Sequence, residues 1–363
     1  MHVLIWHWGR RGAGPLFTAN LTQAMAALPD TRVTLSLAAQ AELLAAEDAP
    51  PCAWREPTYT SLPGYAWQRL AGLLGKPPPT DQLRALRPDV ALCAMPALLD
   101  GRMRAGLTSL HIPYGVVVHD AVAHPGEGLS FLALGQKRLL RQAAFIVCLS
   151  GHVEAGLRAQ GVGRHGQKLV TLWHPPIRLH SPSPARPRTS GPLRLLNFGR
   201  LLPYKGLDLL AEALARLGPA PAFELRVCGE GPDSVALSRL RAMPHVRVEA
   251  RWFKEAEIPA LLDWADALVL PYREASQSGV AALALAAGRP VLATKVGGLP
   301  EQLAQASAAL LCQPTAEDIS LGLRALLENL ASGRAGAGQL CAETEWNKFA
   351  KKLTPALSDG KFF

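Results

Sequence analysis

The chain has 363 residues, of which 49% are hydrophobic and 18% are charged, and its formal net charge is +9. This length exceeds the size at which one hydrophobic core usually stops growing, so we expect two domains. No apolar run is long enough to span a bilayer, and the first residues lack the basic region and cleavage site of a signal peptide, so we expect neither a membrane span nor secretion. The positive charge favours an anionic partner, but Lys and Arg are scattered and no RNA-binding signature is present, which argues against nucleic acid.

Apolar strand-like runs alternate with helix-like stretches, the pattern of a mainly parallel sheet built from βαβ units. The first half contains predicted helices at 16–28 and 131–142 and predicted strands at 2–8, 32–39, 89–96, 114–120, 145–150 and 168–175. A segment rich in Pro and Ser follows at 180–192, and we interpret it as a linker. The alternation then restarts, with predicted strands at 193–199, 223–229, 245–252, 265–272 and 290–297.

Two further features of the chain concern packing. Residues 65–74 carry apolar side chains near helical spacing, in a helix that either packs on the first domain or faces an acceptor or a membrane surface. The six cysteines are widely spaced without a CxxC pair, and Cys93, Cys148 and Cys228 lie inside apolar runs. We therefore expect reduced thiols rather than disulfides or a zinc site.

The first loop, "GRRGAGP" at 9–15, follows the first strand and opens a helix. Its amides, including that of Gly12, can hold an anion at the helix N-terminus, although a tight turn with solvated arginines is the alternative. The spacing is not GxGxxG, and no acid follows the second strand until Glu42. Both departures argue against a nicotinamide-dependent oxidoreductase.

The second half places glycines and cations at the ends of predicted strands. In "NFGRLLPYKG", Gly199 and Arg200 end a strand and Lys205 precedes a helix; "CGEGP" at 228–232 is a second such turn. A third loop carries the Ser278-Gly279 pair in "PYREASQSG". Because the carboxyl ends of parallel strands share one edge of a sheet, these loops should converge there, and Arg together with Lys suits a diphosphate.

These motifs resemble the donor-binding domain of the retaining glycosyltransferases of family 4. The resemblance is dense from about 193 to 303, where "GRLLPYKG", "GEGP", "PYREASQSG" and "AAGRPVLATKVGGLPE" carry it. In the first half it rests on the Gly-rich loop, "VVHDAVAHPG" and "CLSGHVEAGL", and the final "TEWNKFAKKL" is similar to the family's C-terminal helix. The resemblance implies an α/β fold of the GT-B type, with two Rossmann-like doubly wound domains that face a central cleft.

The resemblance implies a binding role for each group that would contact the donor diphosphate. Arg200 and Lys205 would neutralise it and stabilise the leaving group. Ser278 and the amides of Gly279 and Val280, at a helix start, would bind the same phosphates. No DxD motif occurs in the chain, and these fixed cations can replace a metal ion, so we predict no metal and no cofactor.

Other positions of the second domain match the family's contacts to the sugar and the nucleobase. Glu274 matches the first acid of the E-x7-E pattern and would hold sugar hydroxyls. The second acid, which usually touches the ribose, is replaced by Ala282. The loop that meets the nucleobase in the family corresponds to Arg251, Trp252 and Phe253.

In the first domain, His119 in "VVHD" matches the family's histidine that contacts the donor sugar. Asp120 is either an acid-base or acceptor-orienting group or a cap of the following turn, and His124 is a weaker candidate. Catalytic roles are thus assigned to His119, Asp120 and Glu274.

The predicted organisation is an acceptor-side domain at 1–180, a linker at 181–192, a nucleotide-sugar domain at 193–340, and a helix at 341–363 that crosses back to the first domain. The expected enzyme is a retaining, metal-independent hexosyltransferase that moves a sugar from a nucleotide-diphosphate sugar to a hydroxyl acceptor. The acceptor is a saccharide or lipid-linked intermediate of bacterial polysaccharide or glycolipid synthesis, handled in the cytoplasm or at the inner membrane face. Two alternatives are a sugar-nucleotide epimerase of the same fold and a catalytically silent subunit that binds nucleotide sugars.

Overall fold

The computed structural model describes residues 1–46, 49–59, 64, 77–97, 99–122, 130–164, 166–177, 191–220, 222–304, 306–334 and 340–358, with the backbone alone at 130–135. The chain divides into two compact units. Unit 1 contains Met1–Ala121, the described residues 130–173 and the C-terminal helix from Glu343. Unit 2 contains His174–Ala342. The predicted helix at 65–74, His124 and the linker up to residue 190 lie outside the described residues.

Unit 1 contains a parallel seven-stranded sheet in the order β3-β2-β1-β4-β5-β6-β7. Its strands are β1 (His2–His7), β2 (Arg32–Ala38), β3 (Trp54–Glu56), β4 (Val90–Cys93), β5 (Tyr114–Val118), β6 (Phe145–Cys148) and β7 (Lys168–Thr171). Its helices are α1 (Ala13–Ala26), α2 (Thr80–Leu86), α3 (Asp100–Ser109), α4 (Ser130–Gln142) and α5 (Gly151–Ala159), with a 3-10 turn at Glu42–Ala45.

Unit 2 contains a parallel six-stranded sheet in the order β10-β9-β8-β11-β12-β13. Its strands are β8 (Leu193–Phe198), β9 (Phe223–Gly229), β10 (Val246–Ala250), β11 (Ala267–Leu270), β12 (Val291–Thr294) and β13 (Ala309–Cys312). Its helices are α6 (Leu207–Arg216), α7 (Val235–Arg241), α8 (Ile258–Trp264), α9 (Gly279–Ala286), α10 (Leu299–Leu303) and α11 (Ala316–Ala331). Two 3-10 turns lie at Pro203–Lys205 and Glu255–Glu257.

The last helix, α12 (Ala342–Ser358), packs its aromatic residues within unit 1. Phe17 of α1 lies edge-on to Trp346, with ring centroids 4.9 Å apart, and Trp173 lies 5.9 Å from Phe349. Trp346 and Phe349 are buried. These contacts hold the C-terminus on the same unit as the first helix.

The sheets form because their central strands are apolar on both faces, as parallel strands covered by helices must be. All six residues of β1 are buried, as are all four of β6 and β11. The predicted α/β class with two doubly wound, Rossmann-like domains is therefore confirmed. All eleven predicted strands form, most of them one to four residues shorter than predicted. The short strands β3 and β13, at the edges of their sheets, were not predicted.

Among the described residues, no helix is long and apolar enough to cross a membrane. All six cysteines are free thiols. Cys93, Cys148 and Cys228 are buried, as their apolar surroundings in the sequence predict. Burial raises the pKa of Cys148 to about 12 and that of Cys228 to about 11, so both thiols stay protonated and act as core side chains.

Candidate functional site

The candidate site of unit 2 lies at the carboxyl edge of its sheet. Numbered from its own first strand, this sheet has the order 3-2-1-4-5-6, and the strand order reverses between β8 and β11. Open α/β sheets bind ligands at this reversal point, just outside the carboxyl ends of the strands. Arg200 and Lys205 follow β8, and Glu274 and Ser278 follow β11. The sequence-predicted phosphate and sugar residues are therefore carried by the two strands at the reversal point.

Glycines fix the loops after β8 and β9 against each other. Gly229 has a φ of 150°, and a Cβ atom there would lie 1.7 Å from the carbonyl oxygen of Gly199. The amide of Gly199 donates to the carbonyl of Cys228 at 3.0 Å, and that of Leu201 donates to Glu230 at 2.8 Å. The backbone of the first loop is thereby held in place immediately before and after Arg200.

A second close approach joins the loops after β8 and β11. Gly206 has a φ of +67°, and a Cβ atom there would lie 1.8 Å from the carbonyl oxygen of Pro271. The amide of Arg273 donates to the carbonyl of Tyr204 at 2.8 Å. Only glycine allows the backbones to come this close, and the approach sets Lys205 beside the loop that carries Glu274 and Ser278.

Two tyrosines contact the predicted cations. The Nζ atom of Lys205 lies 3.7 Å from the ring centroid of Tyr272 and 4.9 Å from that of Tyr204. Arg200 donates a hydrogen bond from Nη2 to the hydroxyl of Tyr204 at 2.8 Å. The structure therefore brings Arg200 and Lys205 together around one tyrosine, as expected of groups that act on one diphosphate.

Ser278 is the N-cap of α9. Its Oγ accepts a hydrogen bond from the amide of Ala281 at 3.2 Å and lies 3.3 Å from the hydroxyl of Tyr272. Gln302 holds the backbone of Ser278 on both sides, accepting from its amide at 2.8 Å and donating to its carbonyl at 2.9 Å. Sequence reasoning did not single out Gln302, because its partner is 24 residues away.

The predicted phosphate-binding amides of Gly279 and Val280 lie in the first turn of α9. Amides of a first helical turn have no carbonyl of their own helix to bind, and they carry the positive end of the helix dipole. Burial raises the pKa of Tyr272 to about 12, while its hydrogen bond to Ser278 and the charge of Arg200 lower it less. The Tyr272 hydroxyl beside this turn is therefore protonated at neutral pH.

Glu274 is half-buried in the loop after β11, and neighbouring residues hold that loop. Arg273 forms an ion pair with Asp208, and the carbonyl of Ala275 accepts from the amide of Gly298 at 3.0 Å. Ala282, where the family pattern has its second acid, is completely buried, and its carbonyl accepts from the amide of Ile177 at 3.2 Å.

The three predicted nucleobase residues follow β10 but differ in their surroundings. Arg251 forms an ion pair with Glu257 at 2.7 Å, and its guanidinium lies 3.7 Å from the ring centroid of Phe253. Phe253 is buried and lies edge-on to Phe198. Trp252 is half-buried, so it is the more accessible of the two aromatic residues.

In unit 1, the predicted residues lie at the carboxyl edge of the seven-stranded sheet. Gly12 is the N-cap of α1 with a φ of 82°, which favours glycine. His119 follows β5 and is buried; its Nε2 lies 3.1 Å from the carbonyl oxygen of Ala94, so this nitrogen carries the proton. Its ring packs edge-on against Phe17 at 4.7 Å, and the next residue, Asp120, is half-buried.

The glycines of the first loop pack against His7, which sequence reasoning did not single out. A Cβ atom at Gly9 or Gly14 would lie 2.4 or 2.3 Å from its Nε2 atom. Its Nδ1 lies 2.8 Å from the carbonyl oxygen of Met95, and burial lowers its pKa to about 4. The arginines of this loop also have partners: Arg11 pairs with Glu42 at 2.9 Å, and Arg10 lies over the ring of Tyr59.

Two further observations delimit the site. Within the described part of the chain, no group of three His, Cys, Asp or Glu side chains could hold a metal ion. A cavity of about 280 Å³ in unit 2 is lined by Leu217, Phe223 and His245. Since β9 begins at Phe223 and His245 precedes β10, this cavity lies at the opposite edge of the sheet from the candidate site.

Solved structures define the fold of the chain. It is similar to HepE from Anabaena, solved with UDP and glucose, with a TM-score of 0.62 and 16% identity over 97% of this chain and 95% of that one. It is also similar to the UDP-GlcNAc 2-epimerase from Neisseria meningitidis, with a TM-score of 0.57 and 11% identity over 98% and 99% of the two chains. Together with the two sheets, this likeness establishes the GT-B fold.

The sequence comparisons match parts of the chain to glycosyltransferases. Residues 192–329 match the model of the glycosyl transferases group 1 family. It is 33% identical to a glycogen synthase from Mycobacterium tuberculosis over 46% of this chain and 42% of the relative, so the match spans less than half of that relative. A 2-deoxystreptamine glucosyltransferase from Streptomyces kanamyceticus is 27% identical over 68% of this chain and 70% of its own length. The predicted resemblance to the glycosyl transferases group 1 is thereby confirmed for residues 192–329.

Proposed function

We propose that the protein is a retaining glycosyltransferase that moves a hexosyl group from a nucleotide-diphosphate sugar to a hydroxyl of a saccharide or lipid-linked acceptor. The observation that carries this proposal is the convergence of Arg200, Lys205 and the first turn of α9 at the reversal point of the unit 2 sheet. Two fixed cations and a helix N-terminus form a site that suits a diphosphate. The glucosyltransferase and glycogen synthase relatives support transfer of a sugar.

In the proposed reaction, negative charge develops on the phosphate of the nucleotide as the glycosidic bond breaks. Arg200, Lys205 and the amides of Gly279 and Val280 stabilise that charge. The acceptor hydroxyl attacks from the face that the phosphate leaves and passes its proton to that phosphate. The sugar therefore keeps its anomeric configuration, and the fixed cations supply the charge that a metal ion otherwise provides.

Glu274 has a separate role in the proposal. We assign it to hydroxyls of the donor sugar, together with His119 from unit 1, while Asp120 orients the acceptor or moves its proton. Trp252 and its neighbours Arg251 and Phe253 are assigned to the base. The amide of Gly12, at the N-cap of α1, is assigned to the donor phosphates.

The division of roles is tested with Lys205→Ala and Glu274→Ala. Lys205→Ala should weaken the binding of UDP or GDP, whichever the wild type binds, by roughly 10- to 100-fold, because a hydrogen bond to a charged group contributes about 1.5–3 kcal/mol. Glu274→Ala should leave that affinity unchanged and lower the rate of sugar transfer. Arg216→Ala removes an exposed cation of the same unit, paired with Glu212 on α6, and serves as the control for net charge. Equal loss of nucleotide binding in the Lys205 and Glu274 variants would refute these assignments.

The finer parts of the proposal have their own measurements. Proton NMR of the product reports the anomeric configuration, and inversion would exclude the retaining mechanism. Activity that disappears with EDTA and returns with a divalent cation would exclude metal independence. The net charge of +9 motivates the placement at the inner membrane face; absence of binding to anionic vesicles at low salt would remove it.

A sugar-nucleotide epimerase is the second candidate, supported by the likeness to the UDP-GlcNAc 2-epimerase. Incubation with a labelled nucleotide sugar separates the two activities, since an epimerase forms the epimer without an acceptor. Donor binding with neither transfer, hydrolysis nor epimerisation would instead indicate a silent subunit, the alternative that Ala282 raises.

A further inference from the structure

Tyr204 and Tyr272 connect three of the groups assigned to the diphosphate. Tyr204 is buried; its hydroxyl accepts from Arg200 at 2.8 Å, and its ring centroid lies 4.9 Å from the Nζ of Lys205. Tyr272 is completely buried; its ring centroid lies 3.7 Å from the same Nζ, and its hydroxyl lies 3.3 Å from the Oγ of Ser278. The contacts form a continuous chain from Arg200 to the start of α9.

Backbone contacts fix the positions of the two tyrosines relative to each other. Arg273, which follows Tyr272, donates from its amide to the carbonyl of Tyr204, and the carbonyl of Pro271, which precedes Tyr272, abuts Gly206. A displacement of either ring would therefore disturb the junction of the β8 and β11 loops. Buried aromatic rings on a fixed backbone are rigid supports, whereas a lysine side chain alone loses much rotamer freedom when it is ordered.

A tyrosine ring also has an electrostatic advantage over an acid as a support for a cation. The face of the ring attracts an ammonium group without cancelling its charge, so the charge still acts on a phosphate. Two arginines at this edge have acid partners: Arg251 is paired with Glu257 and Arg273 with Asp208. Each of those two ion pairs has no net charge and is suited to holding its loop in place.

We propose that Tyr204 and Tyr272 are positioning residues that hold Arg200, Lys205 and the N-cap of α9 in the arrangement that binds a diphosphate. The inference rests on the proposed function of this edge as a nucleotide-sugar site. Both tyrosines act through the groups they hold. The arrangement is therefore set before the ligand arrives, which lowers the entropy cost of binding.

The test compares the binding of UDP and GDP with that of uridine and guanosine, by calorimetry on the full chain. Tyr272→Leu removes the ring beneath Lys205 and should weaken diphosphate binding about 3- to 30-fold, with unchanged nucleoside binding. Tyr272→Phe keeps the ring and should restore most of the affinity. Tyr204→Phe removes only the hydroxyl that holds Arg200 and should weaken diphosphate binding about 3- to 10-fold.

A matched control and a double mutant separate positioning from general damage. Tyr114→Phe removes another buried hydroxyl, which donates to the carbonyl of Leu139 at 2.8 Å in unit 1, and should leave diphosphate binding unchanged. In a Lys205→Ala background, Tyr272→Leu should cost no more further affinity than Tyr272→Phe does, because the lysine that the ring positions is gone. Additive losses in this cycle overturn the proposal, as does equal weakening of nucleoside and diphosphate.

The outcomes also separate this inference from the proposed function. If the wild type binds neither nucleoside diphosphate, both fail. If it binds one and Tyr272→Leu and Tyr204→Phe bind it equally well, the positioning role is wrong and the nucleotide site stands. If Tyr272→Leu does not fold, Tyr204→Phe decides: a selective loss of diphosphate binding supports the proposal, and an unchanged affinity overturns it.

Discussion

The close approach of Gly206 to Pro271 predicts that Gly206→Ala damages both stability and phosphate binding. The backbone at this position has a φ of +67°, and the new Cβ would lie 1.8 Å from the Pro271 carbonyl oxygen. A left-handed conformation costs an alanine roughly 1–2 kcal/mol. The clash adds to this, because a Cβ and an oxygen in ordinary contact are far more than 1.8 Å apart and one of the two loops must move.

Gly333 provides a control for the strain alone. It lies in the same unit, its φ is also +67°, and no atom lies within 4 Å of an added Cβ. Gly333→Ala should therefore introduce the backbone strain without the clash. Both substitutions lower the conformational entropy of the unfolded chain by the same amount, so this effect cancels in the comparison. We expect Gly206→Ala to lower the free energy of unfolding by about 1–3 kcal/mol more than Gly333→Ala, the range for overpacked sites.

Urea denaturation of the two variants and the wild type measures this difference. Calorimetry with UDP and GDP then reports whether the junction matters for the site: Gly206→Ala should weaken binding, because Lys205 precedes the displaced residue, and Gly333→Ala should not. Equal destabilisation by both variants would contradict the close approach. Unequal destabilisation with unchanged binding would show that the junction supports the fold but not the phosphate site.

Two other predictions follow from buried groups and from the base loop. Burial raises the pKa of Asp100 from 3.8 to about 6 and lowers that of His7 from 6.5 to about 4. Between about pH 4 and 6, Asp100 therefore makes unit 1 less stable as pH rises, and His7 makes it more stable, each by up to about 1.4 kcal/mol per pH unit. Relative to the wild type, Asp100→Asn should make the slope of the unfolding free energy against pH more positive, and His7→Gln should make it more negative. Changes of the same sign in the two variants would contradict the assignment. Trp252→Leu should weaken UDP or GDP binding and leave inorganic pyrophosphate binding unchanged. Phe253→Ala should lower the free energy of unfolding by about 3–5 kcal/mol. The opposite pattern would mean that Phe253 contacts the base and Trp252 stabilises the fold.

Most strands were predictable because a parallel strand with helices on both faces is a run of apolar residues. The apolar runs "HVLIWH" and "ALVL" are typical of strands that are buried on both faces. The edge strand "WRE" has one neighbour, three residues and a charged middle position, so no apolar run marks it. Predicted ends extended too far because apolar residues continue into buried loops after the sheet pairing stops, as at Leu149 and Tyr272.

The candidate site was predictable where a short local motif carries it and not where distant segments meet. Gly199, Arg200 and Lys205 stand in one motif after a strand. Tyr272 and Gln302 belong to the same constellation only because the sheet order places the β11 loop beside the β8 loop and α10 beside the start of α9. Hydrogen bonds between segments tens of residues apart leave no periodic signal in a single sequence, and the neutral tyrosines lack the charge that draws attention to a phosphate site.

Ala282 is buried at the position where the family pattern has its second acid. Residues 281–286 of α9 are all buried, and the carbonyl of Ala282 is bonded to the amide of Ile177. A carboxylate at this position would be buried, and burying a charge costs several kcal/mol unless it is paired and hydrogen-bonded. The burial of this helix therefore favours a small apolar side chain at position 282. On the proposed function, the affinity for the nucleotide depends more heavily on the diphosphate contacts, and the cations and tyrosines between β8 and α9 carry a larger share of donor binding.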